Sequence, residues 1–272
     1  MRIKALVICS IFLLSNLTNS QNSKGISSPF ISTSFDSFKT GEWIKFRIHY
    51  GIFNASYATL ELQESSVGNE SVHKAVAIGR TTGIARFFFK VDDRYETYFK
   101  KNIVKPLKST RNIYEGGYTK NVEIKYDYTL NQAIVNDIKN NQINKVPIKE
   151  NVQDLISTFY FLRNHFDIKN LKINDFIKIN VFFDAENYNF RMRFLGREDV
   201  KTKFGIVNCL KFNPIIESGR VFRDSESLTL WVTNDKNKIP IKVEAGLRIG
   251  SIEADLEEFK GLKHPFKIKI NE

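Results

Sequence analysis

Residues Asn151–Phe166 read NVQDLISTFYFLRNHF and stand alone in this chain as a long stretch with helical periodicity. Val152, Leu155, Ile156, Phe159, Leu162 and Phe166 recur at the i, i+3, i+4, i+7 spacing that lines one face of a helix. Asn151 suits the N-cap, Asp154 then falls at the third helical position beside the positive dipole end, and Arg163 lies near the other end, where a cation is favoured. A lone helix with so apolar a face needs a large partner to cover it.

The flanking sequence supplies strands. Ile44, Phe46, Ile48 and Tyr50 alternate with polar or aromatic neighbours, Gly51–Asn54 turns the chain, and Ser56–Leu62 alternates again. Further strands are expected over Val72–Thr82, Asp92–Lys101, Lys105–Ile113 and Val122–Leu130, with Gly116-Gly117 as a turn. Phe87–Phe89 fits a short helix or a strand equally well. The segment Lys139–Glu150 reads as a polar loop. After the helix come Ile177–Phe183, Tyr188–Phe194, Ile206–Phe212 closed by Pro214, and Ser227–Thr233. Lys238–Glu244 follows with Pro240 at an edge or bulge, because proline cannot donate to a ladder, then Ile249–Glu257. The tail after Phe259 is basic and is expected to be loosely held. The expected fold is mainly β: a curved antiparallel sheet, an open half-barrel, wrapping one central α-helix at 151–166, all within a single domain over 41–272.

Arg2 and Lys4 precede the apolar run Ala5–Leu14 and a small or polar stretch ending at Ser20, the pattern of a secretory signal over residues 1–20. Residues 21–40, rich in Ser, Asn and Thr, read as a flexible lead-in. No run reaches the roughly 20 apolar residues of a membrane-spanning helix, so no transmembrane segment is expected. Export without a further anchor points to the periplasm. The formal net charge of +11 becomes +9 once Arg2 and Lys4 are removed, which suits anionic partners such as a membrane surface or polyanionic glycans. The lysines are scattered singly along strands, the ordinary arrangement of solvated surface, and no basic cluster interleaves with aromatics in a nucleic-acid recognition pattern. Without Cys9 the chain keeps Cys209 alone, which cannot form an internal disulfide and reads as a buried inert thiol.

Most catalytic chemistries lack their residues. The four histidines are isolated, so no metal site and no cofactor are expected, and no nucleophile elbow or glycine-rich phosphate loop is present. Asp154 and Glu198 could form a carboxylate pair for glycan hydrolysis, which needs a separation of roughly 5–10 Å. The plainer use of either is an ion pair with Arg163, Arg193 or Arg197 that ties helix to sheet. The aromatic-rich concave face of a curved sheet under a helix would make an apolar cavity for a lipid-like cargo, unless the same rings fill the core. Trp43 and Trp231 fall on strand faces opposite the apolar alternation and are expected at the surface.

Val152-Gln153-Asp154 with Ser157, Tyr160 and Arg163, together with Gly41-Glu42, Gly196-Arg197-Glu198 and Trp231 through Pro240, resemble the motifs of domain-of-unknown-function family 3108, exported bacterial proteins. Leu230–Asp235 followed by Ile239–Lys242 also looks like the closing hairpin of periplasmic lipoprotein-carrier half-barrels. The resemblance implies export and β architecture. It leads to an exported binding or envelope-assembly protein for an apolar or amphipathic ligand, a lipid, lipoprotein or envelope component, with Asp154, Tyr160, Arg163, Glu198 and Trp231 as candidate binding residues. A glycan hydrolase using Asp154 and Glu198, and a purely structural interaction module, are the rival readings.

Overall fold

The computed structural model describes residues 37–165, 170–217 and 228–269. The expected signal segment, most of the lead-in, Phe166 and Ser227 lie outside the described residues. Among the described residues the first half of the chain forms strands β1 (Trp43–Tyr50), β2 (Phe53–Val67) and β3 (Glu70–Thr81), helix α1 (Gly83–Phe88), then β4 (Asp92–Lys100), β5 (Pro106–Glu115), β6 (Tyr118–Asp127), β7 (Gln132–Asp137) and β8 (Gln142–Pro147). The second half forms helix α2 (Leu155–His165), β9 (Phe176–Phe183), β10 (Glu186–Thr202), β11 (Gly205–Glu217), β12 (Leu228–Thr233), β13 (Pro240–Gly246) and β14 (Ser251–Lys260).

All fourteen strands belong to one antiparallel sheet in the order β8-β7-β6-β5-β4-β3-β2-β1-β14-β13-β12-β11-β10-β9. The chain meanders from β1 to one edge at β8, crosses through α2 to the other edge at β9, and meanders back until β14 pairs with β1. The two edges share no ladder, so the sheet is not closed into a barrel. They do meet through side chains: the Asn187 amide donates to the Pro147 carbonyl at 2.8 Å, and Asn180 donates to that of Glu150 at 2.9 Å. Asp184, in the β9–β10 turn, pairs with Arg111 on β5 at 2.7 Å and with Lys120 on β6.

Several sequence expectations are corrected. There are two described helices rather than one, because Phe87–Phe88 closes α1. Half of the polar loop at 139–150 is strand: β8 pairs with β7 in a hairpin whose turn residue Asn141 has φ +52°. Its signal is weak because only Ala133 and Val135 of β7 are buried and β8 is an exposed edge strand. Pro214 does not end β11, which continues to Glu217 paired with β10. The last β11–β12 pair is Phe212↔Leu230, so Pro214 owes that ladder nothing, and the Asn213 amide reaches the Leu228 carbonyl instead at 2.8 Å. Pro240 sits at the register shift beside Val232, as a residue without an N–H requires. The tail is pinned rather than loose: Lys269 N–H donates to the Ile206 carbonyl at 2.7 Å, and Leu262 and Phe266 pack with Phe204 and Phe259 on a cluster around Trp231. Ser37 and Phe38 of the lead-in are buried too.

Apolar clusters line the sheet from end to end, and α2 touches three of them. Tyr160 is buried among Phe38, Leu60, Leu62, Ala75 and Phe99, facing β2–β4. Phe161 and Leu162 pack on the cluster of Ile177, Phe194 and Phe212 on β9–β11. Phe159 reaches the one built from Ile44, Cys209, Ile239 and Leu256.

Candidate functional site

Helix α2 begins later than its apolar periodicity implies, for a backbone reason. Gln153 is claimed by β9: its N–H donates to the Asn180 carbonyl at 2.8 Å and its carbonyl accepts from Phe182 at 2.8 Å. Asn151 has φ +52° and is no N-cap. Asp154 takes that role: its Oδ1 accepts from the N–H groups of Ile156 (2.9 Å) and Ser157 (2.8 Å), while Ser157 Oγ accepts from Asp154 N–H at 2.8 Å. This reciprocal box satisfies the orphan donors of the first turn. Thr97 donates to the second carboxylate oxygen. Asp154 is therefore saturated by its own helix and β4. Burial lifts its pKa to about 6 against the lowering pull of these hydrogen bonds.

The buried face of α2 is not the apolar stripe. It consists of Ser157, Tyr160, Arg163 and Asn164, whereas Leu155, Ile156, Phe159 and Leu162 are only partly covered. The buried stripe is held by a polar knot. Arg163 makes a bidentate pair with Glu42 at 2.5 and 2.7 Å, with side-chain exposures of 3% and 0%, and its remaining donors reach the carbonyls of Asn237 (2.8 Å) and Ser37 (2.9 Å). Ser37 returns a hydrogen bond to the Arg163 carbonyl at 2.6 Å, and the Asn237 side chain accepts from His264 N–H at 3.0 Å. One guanidinium so fastens the last turn of α2 to the start of β1, the β12–β13 turn and the tail. The partner expected for Arg163, Asp154 or Glu198, is not the one found, because Glu42 reaches it from across 121 residues of sequence.

The apolar stripe of α2 instead borders a cavity of about 270 Å³. Leu155, Ile156, Phe159 and Leu162 form one wall, and residues of β1–β4, β13 and β14, among them Phe46, Ala58, Leu60, Ala77, Val243 and Ala254, face them. Its volume falls just under the roughly 300–1,000 Å³ usual for small-molecule sites. The lining carries one carboxyl group, Asp93 at the start of β4. It is 4% exposed, accepts from Tyr114 N–H at 3.1 Å, and has its pKa lifted to about 7, first by burial and then by the charge of Glu115. Asp93 thus places one carboxyl group, hydrogen-bonded to Tyr114 N–H and beside Glu115, in a mostly apolar wall. Periodicity did not single out Asp93, since an acidic residue opening a strand is indistinguishable from a solvated one.

The five candidate binding residues are not gathered at this cavity. Tyr160 is fully buried between Phe38, Phe99 and Phe159 at ring separations of 4.8, 5.4 and 5.0 Å, and its hydroxyl has no partner among the described residues. Glu198 lies on β10, accepting from Trp231 Nε1 and pairing with Lys211 at 3.2 Å, a network separate from that of Asp154. Trp231 is 8% exposed, not a surface aromatic: Lys211 and Lys242 lie over its ring at 5.1 and 5.6 Å. Cys209 is buried, and burial pushes its thiol up to about 12. The register of β1 on β14 brings His49 within metal-ligand reach of Glu253 and Asp255, a grouping no sequence spacing shows. Gly51 carbonyl and Asp255 occupy the two ring nitrogens at 2.8 Å each, and Lys242 pairs with Glu253 at 2.7 Å, which makes the group an ion-pair network on the sheet.

Comparison with known proteins agrees with the architecture. A β-barrel-like protein of domain of unknown function DUF1849 from Brucella abortus superposes with a TM-score of 0.51 at 9% identity, covering 82% of this chain and 98% of that one. A protein titled a "putative lipoprotein" from Parabacteroides distasonis gives a TM-score of 0.31 at 12% identity, covering 86% and 100%. The first likeness extends to the fold alone. No match was found among curated proteins. The model of the family of proteins of unknown function DUF3108 matches residues 45–257, so the chain belongs to that family.

Proposed function

We propose that this is an exported, periplasmic binding protein that holds an apolar or amphipathic ligand between α2 and the sheet, which curls about the helix as an open half-barrel. One observation carries the reading. The helix buries its polar stripe and leaves its apolar stripe, Leu155, Ile156, Phe159 and Leu162, facing a cavity of about 270 Å³. Apolar side chains left part-covered forgo the roughly 25 cal/mol per Å² that burial contributes, and an acyl chain in the cavity would supply it. Asp93 at the wall offers such a ligand one polar contact. A soluble holder of this kind suits a lipid or the lipid part of a lipoprotein.

Native mass spectrometry of protein purified after export, with titration of a fluorescent fatty acid, tests this. The expected result is a lipid-sized adduct and saturable binding that Ala58→Phe, which fills the cavity, weakens by about tenfold or more. A bare protein mass with no fatty-acid binding, or equal binding by the folded Ala58→Phe variant, overturns the reading.

A further inference from the structure

We propose that the end of the sheet carrying the β13–β14, β1–β2 and β3–β4 connections docks on an anionic lipid surface. The six most exposed large apolar residues among those described all project from these three adjacent connections: Ile249 (81%), Ile52 (91%), Phe53 (70%), Ile84 (78%), Phe87 (87%) and Phe88 (79%). Scattered apolar exposure needs no explanation, but its concentration at one rim does. Helix α1 buries none of its residues, yet it is anchored by Arg86, which pairs bidentately with Asp92 at 3.0 and 2.8 Å and reaches the Val91 carbonyl at 3.3 Å. The anchor holds Phe87 and Phe88 outward.

The charges beside the rim select the partner. Arg80, Arg86 and Lys90 all gather on the single carboxylate of Asp92, and Arg248 is exposed in the β13–β14 turn. Arg80 and Arg86 also line a hollow with Tyr57 beside α1. Apolar points flanked by surplus cations are complementary to an interface with a hydrocarbon layer beneath anionic headgroups, the arrangement that binds amphipathic segments to membranes. A second copy of the chain would bring the same cations face to face. The rim also lies near the cavity, whose wall includes the cross-strand pair Gly79↔Asp93, two residues short of the end of β3. The inference thus extends the proposed ligand reading by giving the cargo a surface to leave from.

Co-sedimentation of the exported protein with phosphatidylglycerol–phosphatidylethanolamine vesicles, against phosphatidylcholine vesicles, tests the docking. Binding to the anionic vesicles should weaken with salt, and the double variant Phe87→Ser, Phe88→Ser should lower the partition coefficient by about tenfold or more. Arg80→Gln should lower binding to anionic vesicles alone. Fatty-acid titration of the same double variant should be unchanged, which separates failure here from failure of the cavity reading. No vesicle binding, equal binding by the folded double variant, or a lipid-independent dimer that the variant dissolves would overturn the proposal.

Discussion

The two faces of α2 are built on opposite principles. The stripe of Ser157, Tyr160 and Arg163 is polar in composition and completely enclosed, with Arg163 meeting Glu42 and the carbonyls of Ser37 and Asn237. The stripe of Leu155, Ile156, Phe159 and Leu162 is apolar and incompletely enclosed, with a cavity at its side. A buried charge survives only where its partners are fixed in place, so the polar stripe holds register. Dispersion and burial ask for no exact partner, so an apolar wall can exchange one neighbour for another. The lesson is that the motif residues of this chain hold the helix, while a ligand would meet residues that form no motif.

Breaking the polar stripe should have the largest effect. Glu42→Ala strands the Arg163 guanidinium without its carboxylate, and stability measured by chemical denaturation should fall by about 3–5 kcal/mol. Where the variant remains folded, its fatty-acid affinity should stay near that of the parent, because neither residue lines the cavity.

The next largest effect is expected at the cavity wall. Asp93 has a folded pKa of about 7 against an ordinary 3.8, so the folded state holds its proton more tightly than the unfolded chain. The stability this contributes is fully present below about pH 4 and lost as pH rises through about 7. Asp93→Asn cannot ionise. Its stability relative to the parent should rise between about pH 4 and about pH 8, by at most about 4 kcal/mol for a shift of about three pK units. Asp154, lifted to about 6, titrates in the same direction in both proteins and cancels in the difference. Denaturation curves at the two pH values check the sign, and a parent-minus-variant difference that does not change with pH would show that folding does not raise the Asp93 pKa.

The smallest effect belongs to the helix start. Asp154→Ala removes the acceptor for Ile156 and Ser157 N–H and should cost about 1–2 kcal/mol, with Asp154→Asn restoring most of it. A variant that keeps stability but loses an enzymatic activity on envelope glycans would instead point to chemistry at Asp154.

Much of the sheet was legible. Alternation in Ile44–Tyr50, Val122–Tyr126 and Ile177–Phe183 is a local property, because neighbouring side chains on a strand point to opposite faces. The β7–β8 hairpin is not legible in the sequence, because an exposed edge strand has no apolar face to write into it. Trp231 was misplaced because both faces of β12 are covered, one by the cluster of Leu210 and Phe212 and the other by that of Cys209 and Ile239, and a strand buried twice does not alternate.

From residue order alone came the mainly β architecture, the helix between two runs of strands, the inert thiol at Cys209 and the family likeness through Glu42, Asp154 and Arg163. Each rests on short-range pattern or on residue type. Only the tertiary structure decided that Glu42 is the partner of Arg163, that Asp154 caps rather than occupies the first turn, and that the apolar face of α2 borders space. Those outcomes depend on which strands become neighbours across more than a hundred residues, and sequence spacing carries no record of that.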